Sequence, residues 1–370
     1  MNRAKNWANQ EEREFDRLMM QRCLELAQQA LGQTAPNPLV GSVIVQGDRV
    51  VGEGFHPQAG QPHAEVFALR AAGESAKGAT VYVNLEPCSH FGRTPPCANA
   101  LIEAGVRRVV VGMVDPNPQV AGAGIDRLRQ AGIAVDVGVE EAACQALNEA
   151  FVYRVLHQRP FGLLKYAMTL DGKIATTTGH SAWVTAPESR NRVHQIRAGC
   201  DAVVIGGNTV RQDNPLLTTH NQGRHNPLRV VMSRSLDLPI AAQLWQTEVA
   251  PTLVFTQQGV KPEFQEKLVR QGVEVIELPE LTPAQVMCHL YDRGCLSVLW
   301  ECGGTLAAKA IADGAIQKVL AFIAPKIIGG VEAPSPVGDL GLTQMTAALT
   351  LSQVKWQAIG RDLLIEGYLG

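Results

Sequence analysis

No run of lysine and arginine occurs in this 370-residue chain, and its formal net charge is only −2. A dedicated nucleic-acid binder usually presents a strongly basic face, so nucleic acid is not an expected partner. No apolar stretch approaches the roughly 20 residues that a membrane-spanning helix requires. The first ten residues, Met1-Asn2-Arg3-Ala4-Lys5-Asn6-Trp7-Ala8-Asn9-Gln10, carry no apolar signal core, so a cytoplasmic chain without a membrane partner is expected. No internal repeat or low-complexity segment is visible. Cys23, Cys144, Cys200, Cys288, Cys295 and Cys302 show no disulfide-framework spacing and read as small core residues of a reducing compartment.

Two cysteines stand apart from these. His63-Ala64-Glu65 is followed by Pro87-Cys88 and then Pro96-Cys97. One histidine and two thiolates are a zinc ligand set that leaves the metal's fourth position open to water. Bound zinc drops the pKa of that water from about 15.7 towards roughly 7. A glutamate that is not a ligand, here Glu65, then shuttles the proton to a departing amine. A structural zinc site would show a fourth ligand at close spacing, and none is obvious. His63 and Cys97 each follow a proline and open a helix-forming run, closed by Gly73 and Gly105. The positive end of such a helix favours thiolate over thiol. Cys88 lies just past a strand at 80–85. Zinc deaminases usually space their cysteines two residues apart. Here Ser89 to Pro96 intervenes, a length that suggests a substrate-touching loop in which Arg93 and Thr94 suit a phosphate. His90 as an added ligand would close the position that the water needs.

The length and a 46% hydrophobic content suit two domains with ordinary cores. Residues 11–31 read as an amphipathic helix with Phe15, Leu18, Met19, Cys23, Leu26, Ala27 and Ala30 on one side. Strands are expected at 40–45 and 49–54 around a hairpin, at 106–111, and at 133–137 after a helix at 126–131. A helix over 140–156 leads to a boundary at His157-Gln158-Arg159-Pro160. The second half opens with a strand at 161–167. Two more, at 202–205 and 296–300, run into Gly206-Gly207 and Gly303-Gly304. A helix over 305–311 after the second glycine pair makes a ready anion site. These turns are not the Gly-x-Gly-x-x-Gly fingerprint, so the pattern alone leaves a plain αβ turn open as well. A closing strand is expected at 363–369.

The string Leu85-Glu86-Pro87-Cys88-Ser89-His90-Phe91-Gly92-Arg93-Thr94-Pro95-Pro96-Cys97 resembles the bifunctional riboflavin-biosynthesis deaminase/reductase family. So do Pro36-Asn37-Pro38-Leu39-Val40-Gly41 and Asp115-Pro116-Asn117-Pro118, and in the second half Leu170-Asp171-Gly172-Lys173-Ile174-Ala175, Ser181-Ala182-Trp183-Val184-Thr185 and Glu301-Cys302-Gly303-Gly304-Thr305-Leu306. The resemblance implies an α/β protein. Its cytidine-deaminase-like three-layer domain would span 1–158 and its dihydrofolate-reductase-like domain 159–370. It implies zinc on His63, Cys88 and Cys97, proton transfer by Glu65, and substrate contact at Asn37, with His56 a neighbour that could join it. In the second domain it implies NADPH, held by Ala167, Trp183, Thr209, Asp213 and the run Gly303, Gly304, Thr305, Leu306, Ala307, Ala308 and Lys309. Substrate contacts carry over to Ser181, Arg197, Leu217 and Glu301. The family usually carries an arginine shortly after its Asn-Pro-x-Leu-Thr string; here His220 follows Asn214-Pro215-Leu216-Leu217-Thr218-Thr219, and the nearby Arg224 is an alternative. A fixed charge suits a phosphate better, which leans towards Arg224. Lys165, Asp171 and Glu301 are candidates for moving protons. The expected partners are small pyrimidine ribotides and further copies of the chain in a homo-oligomer.

Overall fold

The chain divides into two compact units, Met1–Gln158 and Arg159–Gly370. The structure, a computed structural model, describes residues 10–89, 95–118 and 120–370. The first unit runs α1 (Gln10–Gln28), β1 (Gly41–Gln46), β2 (Arg49–Phe55), α2 (Ala64–Ala72), β3 (Thr80–Leu85), α3 (Cys97–Glu103), β4 (Arg108–Met113), α4 (Ala123–Gln130), β5 (Ala134–Val137), α5 (Glu141–Leu147) and α6 (Glu149–His157). Its sheet has the order β2-β1-β3-β4-β5. Strand β1 is antiparallel to both neighbours, while β3, β4 and β5 run parallel.

Glycines bring the helices close to this sheet. A Cβ on Gly41 would lie 2.0 Å from the Cys23 carbonyl of α1. Gly54 pairs with Ser42, the next residue along, so it faces the opposite side of the pleat. There a Cβ would lie 2.5 Å from the Ala64 carbonyl at the start of α2. The two helices therefore cover opposite faces of one sheet, which makes three layers.

The second unit runs β6 (Phe161–Thr169), α7 (Pro187–Ala198), β7 (Ala202–Gly206), α8 (Gly207–Asp213), β8 (Leu228–Met232), β9 (Thr252–Gln257), α9 (Pro262–Arg270), β10 (Glu274–Leu278), α10 (Pro283–Asp292), β11 (Ser297–Trp300), α11 (Gly304–Ala312), β12 (Lys318–Ala324), β13 (Leu351–Ile359) and β14 (Asp362–Leu369). The sheet order is β10-β9-β8-β7-β11-β6-β12-β14-β13. The strands from β10 to β12 are parallel, and the C-terminal hairpin β13–β14 adds antiparallel to β12. Successive residues of β7 alternate between two cores. Ala202 and Val204 pack with Val286, Met287 and Ala307, whereas Val203 and Ile205 pack with Val210 and Leu268. Helices thus cover both faces, which explains why the parallel strands read as continuous apolar runs. No described helix is long and apolar enough to cross a membrane.

The structure departs from the sequence reading where distant groups intervene. Leu18 is 56% exposed, because the buried stripe of α1 passes through Met19, Met20, Cys23 and Ala27. Strand β4 starts at Arg108 rather than at 106, since the Val106 N–H closes the end of α3 on the Leu101 carbonyl. Helix α4 starts at Ala123 rather than at 126 because the Glu86 carboxylate accepts from the Gly124 and Ile125 N–H groups. The helix expected over 140–156 is two, separated at Asn148, whose buried amide is bonded to the Leu39 backbone.

Candidate active sites

In the first unit, α2 and α3 begin beside the loop that leaves β3. His63 immediately precedes α2, and Cys97 is the first residue of α3. His63 Nδ1 lies 3.3 Å from Cys97 Sγ and 3.6 Å from Cys88 Sγ. Tetrahedral zinc, at about 2.3 Å from sulfur and about 2.05 Å from nitrogen, sets such atoms about 3.6 Å apart. All three ligand atoms lie within 4.8 Å of one another, and among the described residues no fourth joins them. The donors present therefore fit zinc with one position free.

The two thiols share a proton in this arrangement. A hydrogen bond from Cys97, aided by His63 and by the Cys97 N–H at 3.3 Å, draws the Cys88 thiol down to about 4. Cys97 is raised because it keeps that proton, so a metal binding both sulfurs displaces it. His63 is raised, chiefly by its hydrogen bond to Cys88. Beside them Glu65 is buried, and burial pushes its carboxyl up to about 7. Its Oε2 has no hydrogen-bond partner. A buried, unsatisfied carboxyl oxygen next to an incomplete ligand set is an orphan that a bound water would satisfy.

This cluster opens into a cavity of about 560 Å³ whose lining includes Asn37, His56, Glu65, Asp115, Asn117 and Phe151. The Asn37 loop is held from behind: Asn84 bonds the Gly41 N–H and the Leu39 carbonyl, and Asn148 bonds both backbone groups of Leu39. His56 Nδ1 is 3.1 Å from the Pro62 carbonyl, which can only accept, so that nitrogen carries the proton. His56 Nε2 then accepts from Asn37 Nδ2 at 3.0 Å. Burial lowers the His56 pKa, which keeps this neutral tautomer. The Asn37 amide is thereby turned with its oxygen and one N–H available to a ligand. Arg93, with His90 and Thr94, lies outside the described residues.

In the second unit, polar side chains gather where the end of β11 lies beside the middle of β6. Glu301 directly follows β11, Lys165 lies on β6 and Arg197 on α7. Lys165 Nζ is 3.4 Å from Glu301 Oε2, and Arg197 grips the same carboxylate through Nε and Nη2, the latter at 3.1 Å. The Arg197 Nη1 donates to the Thr218 carbonyl. Burial alone would raise Glu301, but Arg197 and Lys165 outweigh it and hold the carboxyl at about 2. His194, one helical turn before Arg197, stacks on His220 with ring centroids 4.1 Å apart. Burial, then the neighbouring His220 and Arg197, press His194 down to about 4.

The residues expected to hold the cofactor lie around the same strand ends. Trp183 is 68% exposed, with the Arg190 guanidinium 4.3 Å above its ring. Ser181 donates to Asp213 at the end of α8, which also carries Thr209. Ala167 is on β6. Gly303 is exposed, and a Cβ there would meet nothing within 4 Å, whereas Gly304, the first residue of α11, packs against the Ser335 carbonyl, so the helix start is open to an anion on the Gly303 side only. An open glycine turn at parallel strand ends fits a dinucleotide phosphate. Thr305 and Lys309 are exposed and Leu306 is half-buried against the core, whereas Ala307 and Ala308 are buried and could reach a ligand only through their backbone. Leu217 likewise has a buried side chain.

The RibD C-terminal domain family matches residues 160–365, and the family of the cytidine and deoxycytidylate deaminase zinc-binding region matches residues 13–113. The riboflavin biosynthesis protein RibD of Synechocystis sp. is 66% identical over 354 residues, which is 96% of each chain. The chain belongs to the bifunctional riboflavin-biosynthesis deaminase/reductase family. It is an enzyme of riboflavin biosynthesis with a zinc-binding deaminase domain and a reductase domain. The solved structure of Acinetobacter baumannii RibD (form 2) is 37% identical with a TM-score of 0.86, covering 97% of this chain and 100% of that one. A deaminase/reductase from Thermotoga maritima is 35% identical with a TM-score of 0.85 over the same shares.

Three features of this deaminase/reductase escaped the sequence reading. His194 had a signal, since His194 and Arg197 are three apart and share a helix face. Asp115 and Asn117 stood in a noted motif, but nothing local said that they line the zinc cavity. Glu86 anchors that stretch by accepting from the N–H groups of Asp115, Gly122, Gly124 and Ile125. Its partners are about 30 to 40 residues away, beyond any local pattern.

Proposed function

We propose that residues 1–158 deaminate 2,5-diamino-6-(5-phosphoribosylamino)pyrimidin-4-one at its 2-amino group, and that residues 159–370 reduce the ribosyl group of the resulting 5-amino-6-(5-phosphoribosylamino)uracil to ribityl. The observation that carries this reading is the unpartnered Glu65 oxygen beside His63, Cys88 and Cys97. Those three side chains would hold zinc, which when bound supplies the Lewis acidity that makes water nucleophilic at neutral pH. Glu65 takes a proton from the water and returns it to the departing nitrogen. The water oxygen becomes the C2 carbonyl, and the amino group leaves as ammonia. Asn37, turned by His56, presents its amide to the pyrimidine, and Phe151 supplies apolar wall.

In the second unit the ribosylamine opens to an imine, which exposes C1′ to reduction. NADPH, held by the Gly303-Gly304-Thr305 turn with Trp183, Thr209 and Asp213, supplies the hydride. Lys165, beside Glu301, is the cation placed to hold a proton there. Asp171 is not so placed, since it accepts from Thr169 and from the Ile328 and Gly329 N–H groups. Arg197 acts mainly by orienting Glu301, because its fork is engaged on that carboxylate and on Thr218. We assign the substrate phosphate to His220 rather than Arg224. His220 stacks on His194, which in turn feels the charges of Arg197 and Lys165. The enzyme is assigned to the cytoplasm, as a homo-oligomer.

The test follows ammonia and NADPH separately on the diamino ribotide. Wild type should release ammonia without NADPH and consume NADPH only after deamination. Glu65→Gln should keep zinc and release no ammonia, yet still reduce the deaminated ribotide. Loss of both activities in folded Glu65→Gln protein would refute the separation of the sites.

A further inference from the structure

The second site includes a loop whose backbone is held in an uncommon shape. Within 214–221, Asn214, Leu217, His220 and Asn221 have φ values of 39°, 53°, 47° and 64°. Asparagine tolerates this left-handed region, but in leucine the Cβ crowds the following carbonyl oxygen. Such a residue persists only where its surroundings over-determine it. The Leu217 side chain is buried in a core with Val231, Leu244 and Trp245. Among the described residues, the Leu217 N–H, the Leu217 carbonyl and the Thr218 N–H make no hydrogen bond. Buried segments rarely leave such groups unpaired, so these three point to a ligand.

Two arginines hold the residues on either side of Leu217. Arg197 Nη1 donates to the Thr218 carbonyl at 3.0 Å, and Arg229 Nη1 donates to the Leu216 carbonyl at 3.3 Å. Arg197 belongs to the Glu301 cluster, whereas Arg229 is fully buried on β8, two strands away from β11. Its side chain shares a strand face with Val231 and so enters the same core as Leu217. Arg229 Nη2 donates to the Gln246 and Ala250 carbonyls at 2.9 and 2.6 Å. Among the described residues no carboxylate forms a salt bridge with it, and Glu248 acts only from a distance. A buried charge without a counter-ion is costly, and here three carbonyl dipoles take the place of the acid. Those carbonyls belong to two separate segments, the 214–221 loop and the connection 246–250 before β9. Arg229 therefore ties the loop to the sheet. Asn226 adds a second tie, accepting from the Thr219 N–H and donating to the Val249 carbonyl.

We propose that Arg229 is a positioning residue of the reductase: through the Leu216 carbonyl it holds the left-handed Leu217 backbone, whose free polar groups then meet the ribotide. The proposal rests on the reading of the second unit as a ribotide reductase and adds the residue that shapes its substrate loop. Arg229 is buried behind the loop and touches neither ribotide nor cofactor. It therefore governs how tightly the ribotide binds, while hydride transfer and NADPH binding do not depend on it.

The test compares full-length wild type, Arg229→Gln and Arg229→Lys in reducing 5-amino-6-(5-phosphoribosylamino)uracil, with NADPH binding followed by fluorescence titration. Arg229→Gln should raise the ribotide KM about tenfold, the loss of one hydrogen bond from a charged donor, with kcat and the NADPH dissociation constant within about twofold of wild type. Arg229→Lys should raise KM only about threefold, since the ammonium keeps the charge and reaches fewer carbonyls. Amide hydrogen exchange in Arg229→Gln should quicken over 214–221 and stay unchanged along β7 and β11. A merely structural arginine would instead lower kcat, weaken NADPH and speed exchange across the whole unit. That pattern, or a wild-type KM in Arg229→Gln that still binds NADPH, overturns the proposal. Should Arg229→Gln fail to fold, Arg229→Lys decides: a raised KM at unchanged kcat supports the proposal and an unchanged KM overturns it. A wild type that reduces no ribotide overturns the reductase reading and the proposal together.

Discussion

Replacing Glu301 by glutamine removes the negative charge that Lys165 and Arg197 share, with little change in shape. The carboxyl is held at about 2 instead of its ordinary 4.5. At about 1.4 kcal/mol per pH unit, that difference stabilises the folded second unit by about 3 kcal/mol at neutral pH. Breaking a buried ion pair by removing one partner independently suggests about 3–5 kcal/mol. Because the folded pKa is depressed, the contribution is complete above the unfolded value and disappears as pH falls through the folded one. It should therefore stand at about 3 kcal/mol at pH 7 and about 2 kcal/mol at pH 3.5. Tryptophan fluorescence suits the measurement, since Trp183, Trp245, Trp300 and Trp356 all lie in the second unit and Trp300 adjoins Glu301. Urea unfolding of wild type and Glu301→Gln at both pH values gives the two differences directly. A loss below about 1 kcal/mol, or one that does not shrink with acid, would show that the Arg197–Lys165 charges do not hold Glu301 as the distances imply.

Other outcomes follow from the same structure. Cys88→Ser and Cys97→Ser should each lose the bound zinc, measured by elemental analysis, because a hydroxyl replaces neither the charge nor the softness of thiolate; full zinc content in both would remove the ligand assignment. His220→Ala should raise the reductase KM for the ribotide about tenfold, a charge-assisted contact being worth about 1.5 kcal/mol or more, with the NADPH dissociation constant unchanged. Arg224→Ala should leave that KM alone, and the reverse pattern would move the phosphate contact to Arg224.

Much of the metal centre was legible because its chemistry is written locally. Histidine and cysteine each follow a proline, and His63 and Cys97 open helices whose closing glycines are visible about two to three turns later. Only residue type and short spacing were needed to name His63, Glu65, Cys88 and Cys97. The glycine pairs after β7 and β11 were equally visible, although the pattern alone could not separate an anion site from a plain turn. The second site took its particulars from the resemblance.

What tertiary structure alone decided concerns groups whose partners are far along the chain. Helix α4 begins where Glu86, some 38 residues earlier, supplies its cap, so no neighbouring residue announced that start. The helix after β5 divides at Asn148 because its amide is engaged on Leu39, 109 residues away. Glu301 meets Lys165 and Arg197 across separations of 136 and 104 residues, and its low pKa exists only once β6, β11 and helix α7 are packed together. Local sequence determines which backbone conformations and which reactive groups are available. Distant hydrogen bonds and charges determine where helices end and which groups ionise, because their energy depends on separations that only the folded chain creates.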